Sequence, residues 1–236
     1  MSPHHSPRQP GDRERRHFFD RHAERWDEQA HAGNEPERLH ELLPETGIPS
    51  ARRVLDVGCG TGRIIPVLLA HLPPGGVVIG LDYAEEMLRH GAVFRGPIAR
   101  DPHAAMPFAG SPPAPGPGPG VPPVFAVAGD AAFPPLLPAS LDAVFCYNVF
   151  PHFHDKAATL RALAALLRPG GSLTVCHLEG RESLNRFHAG VGDAVSHDMI
   201  PPDEVVRDMA GSAGLAIRTW RQAEDLYFLV CVISPD

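Results

Sequence analysis

The stretch Val54-Leu55-Asp56-Val57-Gly58-Cys59-Gly60-Thr61-Gly62 constrains the fold more than any other in the chain. Its first four residues read as a buried strand, and the apolar pattern after the glycines reads as a helix running to about His71. Glycines at alternate positions let the main chain turn sharply and approach a ligand closely, just where helix N–H groups point outward. Dinucleotide-binding domains use a similar turn, so the turn alone does not decide between ligands. The spacing helps: a dinucleotide fingerprint beginning at Gly58 requires glycine or alanine at 63, and Arg63 stands there. Asp56 lies two residues before the first glycine. A carboxylate there suits the cationic amine of an amino-acid-like ligand, repels a pyrophosphate, or simply caps the turn.

The same rhythm continues downstream. Val77-Val78-Ile79-Gly80-Leu81 predicts a second strand, Val124 to Val127 a third, Leu141 to Tyr147 a fourth and Gly171 to His177 a fifth, with helices at Ala84 to His90 and Asp155 to Leu167. Strands alternating with helices predict an α/β fold, a mainly parallel sheet covered on both faces. Leu215 to Arg221 and Leu226 to Ile233, after a helix at about 202–211, read as a terminal antiparallel hairpin. Ahead of the core, residues 1–12 read as a disordered tail. Residues 13–49 read as a helical cap, with Phe18 or Phe19, Ala23 and Trp26 at helical spacing and a short second helix at about 35–43. The main domain is expected over 50–236. Ten prolines between Pro97 and Pro123 exclude a helix or central strand and predict an inserted, exposed Pro/Gly-rich loop.

Composition narrows the partners. The 236 residues carry 21 basic and 28 acidic side chains, a net charge of −7, which argues against a broad nucleic-acid footprint. Cys59, Cys146, Cys176 and Cys231 are scattered through apolar runs without a CxxC pair, as expected for buried free thiols in a reducing compartment. No run of 18 apolar residues occurs, and the start lacks a hydrophobic signal segment. The expectation is a cytoplasmic protein with a small-molecule substrate and no nucleic-acid or membrane partner, acting as monomer or homodimer.

Three further clusters fall at the carboxyl ends of predicted strands, where open parallel sheets hold ligands. Asp82 ends the second strand and can accept both hydroxyls of a ribose, with Tyr83 and Met87 beside it for the ribose or adenine or for core packing. Asp130 and Ala131, in Gly129-Asp130-Ala131, offer a carboxylate and a backbone N–H to a purine, or a turn cap. Asn148 follows the fourth strand.

Taken in order, these motifs resemble the class I S-adenosylmethionine (SAM)-dependent methyltransferases, and within them the small-molecule group called methyltransferase type 11. Asp56 to Gly62 resembles the family's first motif, Gly80-Leu81-Asp82 with Ala84 to Leu88 its second, and Gly129-Asp130-Ala131 its adenine-contacting step. Leu141 to Val144 with Asn148 is similar to the fourth-strand motif, and Leu166 to Leu173 to the helix–turn–strand before the fifth. The resemblance covers about residues 50–233. It implies a Rossmann-like, seven-stranded sheet with SAM as cofactor, held by Asp56, Gly58, Cys59, Gly60, Gly62, Asp82, Tyr83, Met87, Asp130, Ala131 and Asn148. The proline-rich stretch departs from the family, which has a helix leading promptly to the third strand there.

Methyl transfer from a sulfonium is an in-line displacement that needs alignment and exclusion of water. A general base is needed where the nucleophile must lose a proton. The candidates are His152, His154 and His177, with His188 and His197 further on. Asp155 fits a helix N-cap. These histidines could converge over the pocket, but spacings of 11 and 9 residues are no chelating signature, and no metal is expected. Phe18, Phe19, Trp26, Phe150, Phe153 and Phe187 would make the acceptor pocket partly aromatic, suited to a small, partly apolar molecule. The alternatives are a protein or nucleic-acid methyltransferase, a non-catalytic SAM-binding module and an NAD-dependent oxidoreductase, which Asp56 and Arg63 disfavour.

Overall fold

The computed structural model describes residues 10–29, 34–100, 123–190 and 196–233. The expected tail lies mostly outside these residues, as does most of the expected proline-rich loop. Seven strands form one sheet: β1 (Arg53–Val57), β2 (Val77–Asp82), β3 (Val124–Ala128), β4 (Leu141–Tyr147), β5 (Leu167–His177), β6 (Leu215–Ala223) and β7 (Leu226–Ile233). Their spatial order is β3-β2-β1-β4-β5-β7-β6. The first five run parallel, and β7 is antiparallel to both β5 and β6. This is the mostly parallel, hairpin-terminated sheet of the class I Rossmann-like fold.

The alternation of side chains along each strand builds two cores. Leu55 and Val57 of β1, Val144 and Cys146 of β4 and Leu229 and Cys231 of β7 join a core closed by α6 (Lys156–Leu166), α7 (Arg181–Gly190) and α8 (Asp203–Ser212). Val54, Phe145 and Phe228, one residue out of phase, join a second core under α3 (Glu35–Leu42) and α4 (Ile65–His71). Both faces of the central strands are buried, which is why their sequences read as continuous apolar runs. Two short helices, α1 (Pro10–His22) and α2 (Trp26–Gln29), joined by a single 3₁₀ turn, lie beside α5 (Glu85–His90). There Ala23 packs with Ala84 and Met87.

Three boundaries differ from the sequence reading. The first helix starts at Pro10 instead of Arg13, as the fixed φ of proline permits at a first helical position. Strand β5 starts at Leu167, ahead of Pro169-Gly170-Gly171, because Leu167 pairs with Leu141 before a register shift. Strand β6 extends to Ala223, so that Glu224-Asp225 alone makes the hairpin turn. All four cysteines are buried and free. No helix among the described residues is long and apolar enough to cross a membrane.

Candidate active site

Register sets the place of the site. Val57 pairs with Leu81 and Cys146, and Asp82 with Ala128, so the carboxyl ends of β1 to β4 are level. The strand order reverses between β1 and β4, which opens a crevice for a ligand. A cavity of about 680 Å³ occupies it.

The glycine turn forms one wall. Gly58 and Cys59 donate their N–H groups to the Leu81 carbonyl, at 2.8 and 3.1 Å, and Gly60 donates to Asp82 Oδ2 at 2.8 Å. Gly58 has φ +64°, and a Cβ there would lie 2.3 Å from Val149 Cγ2, so both conformation and space require glycine. Gly60 is open towards Trp26, whose Nε1 would be 3.7 Å from a Cβ.

Of the eleven residues expected around the cofactor, ten line this cavity: Asp56, Gly58, Cys59, Gly60, Asp82, Tyr83, Met87, Asp130, Ala131 and Asn148. Gly62 does not line it; its N–H closes the turn onto the Cys59 carbonyl. Asn148 holds φ +52°, a conformation asparagine tolerates better than most residues. Asp130 Oδ1 accepts from the Ala132 N–H at 2.8 Å, so it also caps its turn. Met87 is buried against the N-terminal cap, while Tyr83 meets Phe19 edge-on at 6.1 Å.

Two carboxylates of this wall, Asp82 and Asp56, are buried. Asp82 spends Oδ1 on the Ala84 N–H and Oδ2 on the Gly60 N–H, yet burial raises its pKa to about 6. Asp56 is 1% exposed, and its Oδ2 has no hydrogen-bond partner among the described residues. Burial first, then the Asp82 charge, pushes its carboxyl well above the usual range. An unpartnered buried oxygen costs about 1–3 kcal/mol. Full burial of neighbours such as Leu55 and Val57 returns about 1.5–3 kcal/mol each, so the fold tolerates it. A cationic ligand group at the cavity wall would satisfy that oxygen. Arg63, also on the wall, is ion-paired with Glu35, whose Oε1 accepts from Tyr147 Oη at 2.9 Å.

The opposite side of the cavity carries the histidines. His152 Nδ1 lies 2.7 Å from Asp198 Oδ2, and Arg15 Nη2 donates to the other oxygen, Oδ1, at 2.5 Å. Asp198 is 3% exposed, and His152 and Arg15 both line the cavity. The His152 ring also meets His188 at 5.0 Å and Phe19 edge-on at 5.7 Å. His154 lines the cavity and is exposed, and Asp155 caps α6 by accepting from the Ala158 N–H at 2.8 Å.

His177 does not line the cavity. It is buried at the end of β5 opposite Tyr227, and burial, with His152 and His188 nearby, lowers its pKa to about 3. His197 is exposed, so the expected convergence of histidines is limited to His152 and His188, with His177 in electrostatic range. Among the described residues no group of three or more His, Cys, Asp or Glu side chains is arranged to hold a metal. The meeting of His152 with Asp198, and of Asp198 with Arg15, was not legible in the sequence: Asp198 is 46 residues from His152, and Arg15 is 183 from Asp198.

Comparison with known proteins agrees with this geometry. Residues 55–173 match the family model described as a methyltransferase domain. Demethylmenaquinone methyltransferase of Symbiobacterium thermophilum is 28% identical over 192 residues, covering 79% of this chain and 68% of that one. Ubiquinone biosynthesis O-methyltransferase of Xanthomonas campestris pv. campestris is 27% identical, covering 87% and 84%. Among solved structures, magnesium protoporphyrin IX methyltransferase from Synechocystis PCC 6803 with bound SAH superposes with a TM-score of 0.61 at 18% identity, covering 94% of this chain and 99% of that one. A SAM-dependent methyltransferase from Aquifex aeolicus gives 0.56, also at 18% identity, covering 85% and 94%. With half of its length matched by the family model and the glycine turn, strand order and cavity in place, the chain belongs to the methyltransferase domain family, as a SAM-dependent methyltransferase of the class I Rossmann-like fold.

Proposed function

We propose that the cavity binds S-adenosylmethionine and that the enzyme methylates a small, partly apolar acceptor whose nucleophilic atom carries a proton, with His152 as general base. The observation that carries the acceptor half of this reading is the shared carboxylate of Asp198. An anionic partner at Nδ1 selects the tautomer with its proton there, which leaves Nε2 of His152 as the proton acceptor.

The residues on the cofactor side fit the group. Asp56 has an unpartnered oxygen for the cationic amine, and Asp82 keeps lone pairs for ribose hydroxyls after accepting two amides. Asp130 and Ala131, which line the cavity, would read the adenine edge, and Asn148 would lie towards the transferred methyl. When bound, the cofactor supplies an electrophilic methyl on a cationic sulfur, which leaves as a neutral thioether. His152 Nε2 takes the acceptor's proton as the new bond to the methyl forms, and Asp198 stabilises the resulting imidazolium. Phe19, Trp26 and Phe153 line the cavity and exclude water from the reacting centre. The names of the two relatives, a demethylmenaquinone methyltransferase and an O-methyltransferase of ubiquinone biosynthesis, support a small-molecule acceptor over a polymer.

Calorimetric titration with SAM, S-adenosylhomocysteine and NAD tests the cofactor. Binding of both adenosyl ligands but not NAD is expected, weakened roughly 10- to 100-fold in Asp56→Asn by loss of a charge-assisted contact. Absence of adenosyl binding overturns the reading. For the base, His152→Ala should lower the turnover of labelled methyl by about 10²–10⁴ while leaving SAM affinity unchanged. Undiminished turnover would remove His152 from the mechanism.

A further inference from the structure

Asp198 is shared by two cavity-lining groups, and one carboxylate cannot neutralise both through the reaction. Before proton transfer it balances the Arg15 guanidinium. Once His152 has taken the acceptor's proton, two cations flank a single anion in a largely buried place: the side chains of Arg15, His152 and Asp198 are 15%, 19% and 5% exposed. Lys156 adds to the imbalance, since its ammonium is close enough to feel both Asp198 and Arg15 and, among the described residues, donates to the neutral carbonyls of Pro151 and Phe153. Arg15 also has donors to spare. A guanidinium carries five N–H donors, Asp198 is its one ion-pair partner among the described residues, and its Nε is buried with no hydrogen-bond partner among them.

We propose that Arg15 recognises the acceptor by pairing with an anionic oxygen, a carboxylate carried next to the atom that is methylated. This rests on the reading of the cavity as a methyltransferase site and adds the chemical class of its substrate. The two oxygens of Asp198 hold Arg15 and His152 side by side, so the anion and the protic nucleophile must occupy neighbouring positions on one small frame. A hydroxy acid of the salicylate type has that arrangement. The acceptor's negative charge supplies what Asp198 lacks once the imidazolium forms, so the pairing strengthens as the reaction proceeds. Arg15 comes from the N-terminal helix, so that helix contributes specificity as well as cover.

The test measures salicylate and phenol binding to S-adenosylhomocysteine-loaded protein by calorimetry, in the wild type, Arg15→Met and Arg15→Lys. A charged pair in a part-buried site predicts that the wild type prefers salicylate over phenol by about tenfold or more. Arg15→Met should abolish the preference while phenol and S-adenosylhomocysteine affinities change less than about threefold. Arg15→Lys keeps a positive charge beside Asp198 but loses the planar fork, and should retain only part of the preference. It is the deciding variant if Arg15→Met does not fold. A residue that merely steadied Asp198 would leave the salicylate-to-phenol ratio unchanged. Equal binding of the two probes, binding of neither, or a preference that survives in the variants overturns the proposal. Loss of S-adenosylhomocysteine binding by the wild type would instead overturn the methyltransferase reading beneath it.

Discussion

Replacing His177 by phenylalanine should make the protein resist acid better than the wild type does. The imidazole is 1% exposed, and neither ring nitrogen has a hydrogen-bond partner among the described residues. Burial lowers its pKa from 6.5 to about 3. In the unfolded chain the ring takes a proton as pH falls below 6.5, but in the folded protein it does not until about 3. Between those values the unfolded state binds more protons, so stability drops as pH falls. At 1.36 kcal/mol per pH unit, the loss from this one group is roughly 2–3 kcal/mol by pH 4.5 and about 4–5 kcal/mol over the whole window. Asp56 and Asp82, whose pKa values are raised, act in the opposite sense, so only a comparison of two proteins at the same pH values isolates His177. Phenylalanine keeps a ring against Tyr227, 6.2 Å away edge-on, and removes two unpartnered polar atoms. At pH 7.5 its cost should therefore stay within about 1–2 kcal/mol. Urea unfolding followed by circular dichroism at pH 7.5 and 4.5 measures both. Between those pH values the variant should lose roughly 2–3 kcal/mol less than the wild type. Parallel losses, within about 1 kcal/mol, would show that the imidazole is solvated or partnered in solution and would refute the reasoning.

Asp198→Asn should present its amide oxygen to Arg15 and its NH₂ to His152 Nδ1, forcing the proton onto Nε2. Turnover should fall by about 10²–10⁴, and long-range nitrogen–proton spectra should show the switched tautomer, whereas an unchanged tautomer would count against the dyad. Gly58→Ala combines φ +64° with a Cβ 2.3 Å from Val149 Cγ2, and should cost about 2–4 kcal/mol, read as a lowered thermal midpoint. Adenosyl-ligand affinity should fall as pH drops through about 6, because burial raises Asp82 to that value and its protonated form no longer serves as an anionic acceptor. Calorimetry at pH 7.5 and 5 should show roughly tenfold weakening. Equal affinities would mean that the ribose is held by other groups.

Much of this molecule was legible in one dimension, and the reasons are local. The runs at 53–57, 77–82 and 141–147 read as strands because both faces of a central parallel strand are buried, leaving no polar alternation to mistake for something else. Asp155 announced its cap because capping acts within one turn. The start of β5 was hidden because Pro169-Gly170-Gly171 reads as a turn in isolation, and only pairing with Leu141 makes the preceding residues part of the strand. His177 looked like a ligand-edge residue because it ends a strand. Its side chain instead shares a face with Tyr227, opposite it in register, beneath the covering helices.

The sequence by itself determined the glycine-turn wall of the cavity, since the glycine turn, Asp56, Asp82 and Asp130 each sit at the end of a strand whose position follows from local pattern. Only the tertiary structure decided the opposite wall, the one that carries His152. Arg15, His152 and Asp198 come from three segments whose meeting depends on how the N-terminal helix and the segment before α8 pack across the sheet edge. A hydrogen bond between residues 46 or 183 positions apart leaves no periodicity in the chain. It exists because burial brings an arginine, an imidazole and a carboxylate into one largely dry place, where each must find the others or bear the cost of being unpaired.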